Sequence, residues 1–206
     1  MRGILIPAAR LALVTGLLCG LLYPLAVTGL AQWLLPDAAN GSLVRQTDGT
    51  VVGSRSIGQQ WVGPEWFHGR PSATTATDPA DPAKTIAAPY NAAHSGASNL
   101  GPASKALAGR LAQDRFSMAA TEPELLSEFL PSDMLTTSGS GLDPDISPAN
   151  AALQAPRVAR ARRLPLAAVA DLLRRHTQSR ELGLFGEPRV NVLELNLALQ
   201  SAFGAS

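Results

Sequence analysis

"LALVTGLLCGLLYPLAVTGLAQWLL", Leu11 to Leu35, decides how the rest of the chain is read. It runs for 25 residues without a charged side chain. At about 1.5 Å per residue, a helix of that length exceeds the roughly 30 Å of hydrocarbon in a bilayer. Length and composition therefore predict one membrane-spanning helix. The flanking charges give it a direction: Arg2 and Arg10 precede it, Asp37 is the first charge after it, and no Lys or Arg follows until Arg45. Basic residues stay on the cytoplasmic side. Residues 1–10 are thus expected to be a cytoplasmic tail, 11–35 the transmembrane helix and 36–206 a single exported domain. A cleaved signal peptide is the alternative, since Gly29 and Ala31 have the spacing of a cleavage site. The apolar stretch is, however, longer than the ~7 to 15 residues of a typical signal core.

Within the stretch, Ala12, Gly16, Gly20, Pro24 and Thr28 recur at every fourth position, and "GLLCG" supplies a GxxxG pair. Small residues let two helix backbones approach closely, so these five form a candidate helix-packing interface. The plainer explanation is that Gly and Pro are simply commoner in membrane helices.

Composition bounds the remainder. Of 206 residues, roughly 170 lie beyond the helix, enough for one domain with a core. A net charge of +1 gives no reason to expect nucleic acid or another polyanion as partner. Cys19 is the only cysteine and sits in the apolar stretch, so no intramolecular disulfide is available to the exported part.

The expected fold class is α+β, with a β-hairpin region first and helices at the C-terminal end. "SLVRQTDGTVVGS" places Asp48 and Gly49 between two alternating runs, a hairpin signal. "ATTATDPADPAKTIAAP", Ala73 to Pro89, is polar and rich in Pro and Thr, and reads as a long surface loop. Ser147 and Pro148 form an N-cap and first-turn pair that starts a helix, with a bend expected before Pro156. A second helix is expected from Pro165, carrying Leu166, Val169, Leu172, Leu173 and His176 at helical spacing. "VNVLELNLALQSAF" reads as a short strand passing into a last helix.

Catalytic and metal motifs are not found. No GxxxxGK[ST] loop occurs, and "GPASK" at Gly101–Lys105 lacks its spacing. His68, His94 and His176 are scattered without an HExxH pattern, and Asp143 and Asp145 lack the rest of a calcium loop. "SGSG", Ser138 to Gly141, lacks the GxSxG elbow of a seryl nucleophile. The basic run "RVARARR", Arg157 to Arg163, reads as a solvated helix face. In "SGSGLDPDISPAN", Gly139 and Gly141 are expected to take positive φ in a tight turn, and Asp143 to cap backbone amides.

Six segments carry a resemblance: "YPLAVTGLAQ", "VVGSRSIGQQW", "FHGRPSA", "YNAAHSGASNLGP", "LTTSGSGLDPDISPANAALQAPRVARAR" and "GEPRVNVLELNLAL". In order and across nearly the whole chain they resemble the KdpC subunit family of bacterial Kdp potassium-transporting ATPases. His94, Ala97 and Thr137 depart from the usual pattern without touching its main motifs. The resemblance implies a non-catalytic accessory subunit of a high-affinity, ATP-driven potassium uptake complex in the bacterial inner membrane. It implies as partners a channel-like potassium-binding subunit, a P-type ATPase subunit that hydrolyses ATP through an aspartyl phosphate, and a small hydrophobic subunit. ATP and potassium are then handled by the complex, with no cofactor belonging to this chain. The family is also described as raising the ATP affinity of the ATPase subunit, with the segment equivalent to Ser138, Gly139, Ser140 and Gly141 compared to an ATP-contacting signature. The charge bias sets those four residues on the side of the membrane away from ATP, so an indirect, conformational effect is expected. The alternative from a different class is a self-contained, membrane-anchored exported binding protein or enzyme.

Overall fold

The computed structural model describes residues 2–46, 48–122, 125 and 129–204. The chain divides into two units, residues 1–54 and 55–206.

The first unit opens with a continuous helix: α1 (Arg2–Leu17), a π turn (Leu18–Leu22) and α2 (Tyr23–Leu34). It therefore begins well before Leu11 and takes in the residues read as a tail. Gly3–Leu34, 32 residues, is long and apolar enough to cross a membrane. The π turn has a local cause in Pro24, which has no N–H and whose ring crowds the carbonyl four residues earlier. Just ahead of it the ladder widens, and Tyr23 N donates to Leu18 O, five residues back. After the short α3 (Pro36–Ala39), strands β1 (Leu43–Arg45) and β2 (Val51–Ser54) pair antiparallel, as the Asp48–Gly49 signal predicts. Gly49 takes φ 85°, and Asp48 Oδ1 accepts from Thr50 N at 2.9 Å.

The second unit is mixed. Ala73–Pro89 departs from the expected loop. It contains a hairpin, β3 (Thr75–Asp78) and β4 (Asp81–Ala87), turned by Asp78, whose Oδ1 accepts from Ala80 N at 2.8 Å. Its threonines alternate along β3, and the Pro and Asp residues that suggest disorder supply the turn. Helices α4 (Lys105–Thr121) and α5 (Ser132–Leu135) follow.

The main core comes mostly from the last third of the chain, joined by Phe67, and a smaller cluster forms at Leu125, Leu130 and Met134. Strand β5 (Asp145–Ile146) lies beside β7 (Arg189–Asn191), which pairs on its other edge with β6 (Thr177–Gln178), all antiparallel. Helices α6 (Pro148–Arg162), α7 (Leu166–His176) and α8 (Val192–Phe203) pack with this sheet around Ile146, Val158, Val169, Leu172, Val190, Leu195 and Leu199. Ser147 caps α6, its Oγ accepting from Asn150 N at 3.1 Å, and the helix continues through Pro156. Arg163, at φ 56°, ends it in the left-handed conformation that glycine usually supplies. Leu164 then packs against the core.

Candidate functional site

Among the residues marked out by sequence, Ala12, Gly16, Gly20, Pro24 and Thr28 all lie on the long helix and are exposed along it. A Cβ built on Gly16 or Gly20 meets no atom within 4 Å, so the groove there is open. A four-residue spacing in a 3.6-residue helix drifts by ~40° per step. The wider π turn between Gly16 and Pro24 takes back part of that drift and keeps the five residues nearer one face.

Ser138–Gly141 occupies a different setting, in the second unit. Ser138 is buried and its Oγ accepts from Gly141 N at 2.8 Å, while Ser140 Oγ accepts from Leu142 N at 3.1 Å. The carbonyls are also taken. Ser140 O accepts from Gly96 N at 2.8 Å, Gly141 O from Ser72 Oγ at 2.7 Å, and Leu142 O from Gly58 N at 2.8 Å. Only Gly141 of the expected glycine pair has positive φ, at 69°; Gly139 does not need it. A Cβ on Gly141 would sit 2.5 Å from Thr74 Cγ2 and 2.7 Å from Gly96 O. The stretch is therefore a packed elbow in which two amides are taken by its own serines and three carbonyls serve neighbouring loops.

Just beyond it, Asp143 Oδ1 accepts from Asp145 N at 3.1 Å and Asp143 Oδ2 pairs with Arg70 Nη1 at 3.0 Å. Arg70 also donates to the Thr137 carbonyl at 3.3 Å, tying the two sides of the elbow together. Tyr90 donates its hydroxyl to Arg70 O at 2.7 Å, and burial, followed by the Asp143 charge, pushes its pKa up to about 12. An open groove of about 400 Å³ runs past Arg70, Asp133, Asp143, Asp145 and Arg189. Asp145 holds its proton more tightly than an ordinary aspartate, first through burial and then through the Asp143 charge, against the pull of Arg189 at 3.3 Å. Among the described residues, no three His, Cys, Asp or Glu side chains are grouped to hold a metal ion.

The basic run forms a solvated face only in part: Arg160 and Arg163 are exposed, whereas Arg157 and Arg162 turn to the Pro64–Trp66 loop. Arg157 is buried: Nε pairs with Glu122 Oε1 at 2.9 Å, Nη1 donates to Pro64 O and Trp66 O, and Nη2 donates to Gln154. Arg162 stacks 4.3 Å from the Trp66 ring centre and donates to Glu65 O at 2.8 Å. A guanidinium can serve several carbonyls at once, and the loop at Pro64–Trp66 has carbonyls that no strand satisfies.

Sequence reasoning missed two side-chain amides. Asn196 exchanges two hydrogen bonds with the Phe67 backbone, both at 2.9 Å, and Gln154 does the same with His68 at 2.8 and 3.0 Å. Together they clamp an extended segment onto α8 and α6 and hold Phe67 fully buried. The available signal was Asn196 among leucines in "LELNLAL", because a polar side chain on an apolar face needs a buried partner. His68 Nε2 meets Gly63 O at 2.8 Å, and burial, then the Arg157 charge, lowers its pKa.

Fold and site define a class: a helix long enough to cross a membrane, joined to an α+β unit whose polar clusters secure its own loops. Residues 5–201 match the family described as "KdpC: K+-transporting ATPase, c chain". The chain is 57% identical over 198 residues to the "Potassium-transporting ATPase KdpC subunit" of Methylobacterium nodulans, covering 96% of both chains. It is 56% identical over 196 residues to the protein of that name from Bradyrhizobium diazoefficiens, covering 95% of this chain and 96% of the relative. The chain belongs to the KdpC family, the accessory subunits of the Kdp potassium uptake complex. A self-contained exported enzyme or binding protein finds no support.

Proposed function

We propose that this subunit assembles and stabilises the pump without performing its chemistry. The hydrolytic site and the potassium path belong to the other subunits, a P-type ATPase subunit and a channel-like subunit, accompanied by a small hydrophobic one. The ridge of Ala12, Gly16, Gly20, Pro24 and Thr28 docks against a membrane helix of the channel-like subunit, where close backbone approach supplies the packing that lipid cannot. The N-terminus lies in the cytoplasm and residues 36–206 on the far side of the inner membrane. Any effect on ATP affinity then passes through the pump's conformational equilibrium rather than through contact with the nucleotide.

The observation that carries this reading is the elbow itself. A phosphate-contacting loop presents free amides to its ligand. Gly141 N and Leu142 N are already used by Ser138 and Ser140. The same observation favours ATP being bound by the ATPase subunit rather than by this elbow.

Sidedness is the test. Ser140 is exposed, so a Ser140→Cys variant in a Cys19→Ser background is exposed to intact cells and to inverted vesicles with a membrane-impermeant thiol reagent. Labelling from outside is the expected result. Labelling only in inverted vesicles overturns the orientation and makes direct nucleotide contact the leading alternative.

A further inference from the structure

The loop joining β6 to β7 carries three large apolar side chains into solvent. Leu182 is 88% exposed, Leu184 75% and Phe185 64%. This is a shaped projection. At its base Thr177 faces Val190 and Gln178 faces Arg189 in antiparallel register. At its tip Glu181 N donates to Phe185 O and Phe185 N to Glu181 O, both at 2.9 Å. Leu182 adopts φ 53°, ahead of Gly183 at 73° and Gly186 at 74°. A residue with a Cβ disfavours that conformation, so the surrounding hydrogen bonds hold it there. Two ion pairs brace the flanks: Arg180 to Glu187 at 2.6 Å, and Arg189 to Glu181 at 3.1 Å.

We propose that this uncharged tip, Leu182–Gly186, is a peg that docks into an apolar socket on another subunit of the potassium-transporting complex. The proposal rests on the reading of the chain as an assembly subunit. Two features select this occupant. The first is area: three such side chains expose on the order of 400 Å², about half of the roughly 800 Å² that each partner contributes to a standard interface. That is too little to hold a free second copy. It suffices for a chain already tethered to the complex by its membrane helix, because tethering turns docking into an intramolecular step. The second is charge. Surfaces that bind lipid headgroups present unpaired Lys and Arg to the anionic layer. Here each arginine of the collar faces a glutamate of the same hairpin, and such a self-neutralised collar is cheaper to enclose in protein than one bearing surplus charge.

The experiment uses the complete complex in membranes. Phe185 is replaced by the photoreactive p-benzoylphenylalanine, the membranes are irradiated, and the complex is purified through a tag on another subunit. Adducts are identified by mass spectrometry. A covalent adduct with the polypeptide of another pump subunit is expected, falling at least tenfold when Leu182→Ser and Leu184→Ser are added. The same probe at Phe116, 75% exposed on α4, is expected to give no such adduct. Adducts confined to lipid, a self-adduct at twice the chain's mass, or no adduct from a chain that still co-purifies overturn the peg and leave the assembly reading standing. Failure of the unaltered chain to co-purify overturns both.

Discussion

Replacing Gly141 by alanine asks whether Ser138–Gly141 is a structural elbow. The new Cβ enters a residue held at φ 69°, a left-handed conformation that costs a side chain roughly 1–2 kcal/mol. It would also stand 2.5 Å from Thr74 Cγ2 and 2.7 Å from Gly96 O. Neither neighbour yields freely. Gly96 N is hydrogen-bonded to Ser140 O, and Thr74 Oγ1 donates to Ala88 O at 2.6 Å while accepting from Asn91 N at 3.0 Å. Overpacking against anchored groups typically costs about 1–3 kcal/mol. The two effects together give about 3 kcal/mol. For a chain of this length that lowers the melting midpoint by roughly 6 to 12 °C. Thermal unfolding of the full-length chain in detergent, followed by fluorescence of Trp61 and Trp66, reads the shift. Gly139→Ala is the control: it lacks positive φ and its Cβ meets no atom within 4 Å, so it should change stability by less than about 0.5 kcal/mol. Equal melting of Gly141→Ala and the unaltered chain would refute the elbow. A loss confined to ATP response, at unchanged stability, would do so in favour of nucleotide contact.

Three further outcomes follow from the geometry. Glu122→Ala leaves Arg157 buried without its carboxylate and should cost about 3–5 kcal/mol in denaturant unfolding, with Arg157→Lys also destabilising because one ammonium cannot reach the same acceptors; a cost below about 1 kcal/mol for both would contradict the buried network. His68 has a folded pKa below its ordinary 6.5, so it binds fewer protons folded than unfolded. Its contribution is complete above that value and is lost as pH falls through the lowered pKa; His68→Gln should flatten the acid side of a melting-midpoint-versus-pH curve, and an unchanged slope would count against this. Gly16→Leu combined with Gly20→Leu fills an open groove without meeting the chain's own atoms, so it should spare the fold and reduce co-purification with the complex about tenfold; unchanged stoichiometry would remove the helix ridge as a docking face.

Much of the fold was legible because its signals are local. Twenty-five uncharged residues, Asp48–Gly49 between alternating runs, Ser147–Pro148 at a helix start and the spacing of Val169, Leu172 and Leu173 each express preferences settled within a few residues. What escaped depends on partners distant in sequence. The β3–β4 hairpin hides in a segment whose Pro and Asp content resembles a loop, although the same residues make its turn. Arg157 reads as surface in isolation and is drawn inward only because Glu122 and the Pro64–Trp66 carbonyls await it. Asn196 finds Phe67 across 129 positions, and no periodicity in either segment announces that pairing.

The glycine-rich elbow shows why local composition alone leaves function open. Gly and Ser are favoured in a phosphate loop because they give close backbone approach and free amides. They are favoured in a tight turn because glycine tolerates positive φ and serine hydroxyls accept from amides two or three residues on. Both needs select the same letters, and only the destination of the amides separates them. Here Ser138 Oγ takes Gly141 N, Ser140 Oγ takes Leu142 N, and Asp143 Oδ1 takes Asp145 N. Each turn-forming side chain uses a donor that a bound anion would have required, so the stronger the local turn becomes, the weaker the segment is as a ligand site. A stretch built this way fixes the loops at Gly58, Ser72 and Gly96 relative to the start of α6, in keeping with the assembly role proposed above.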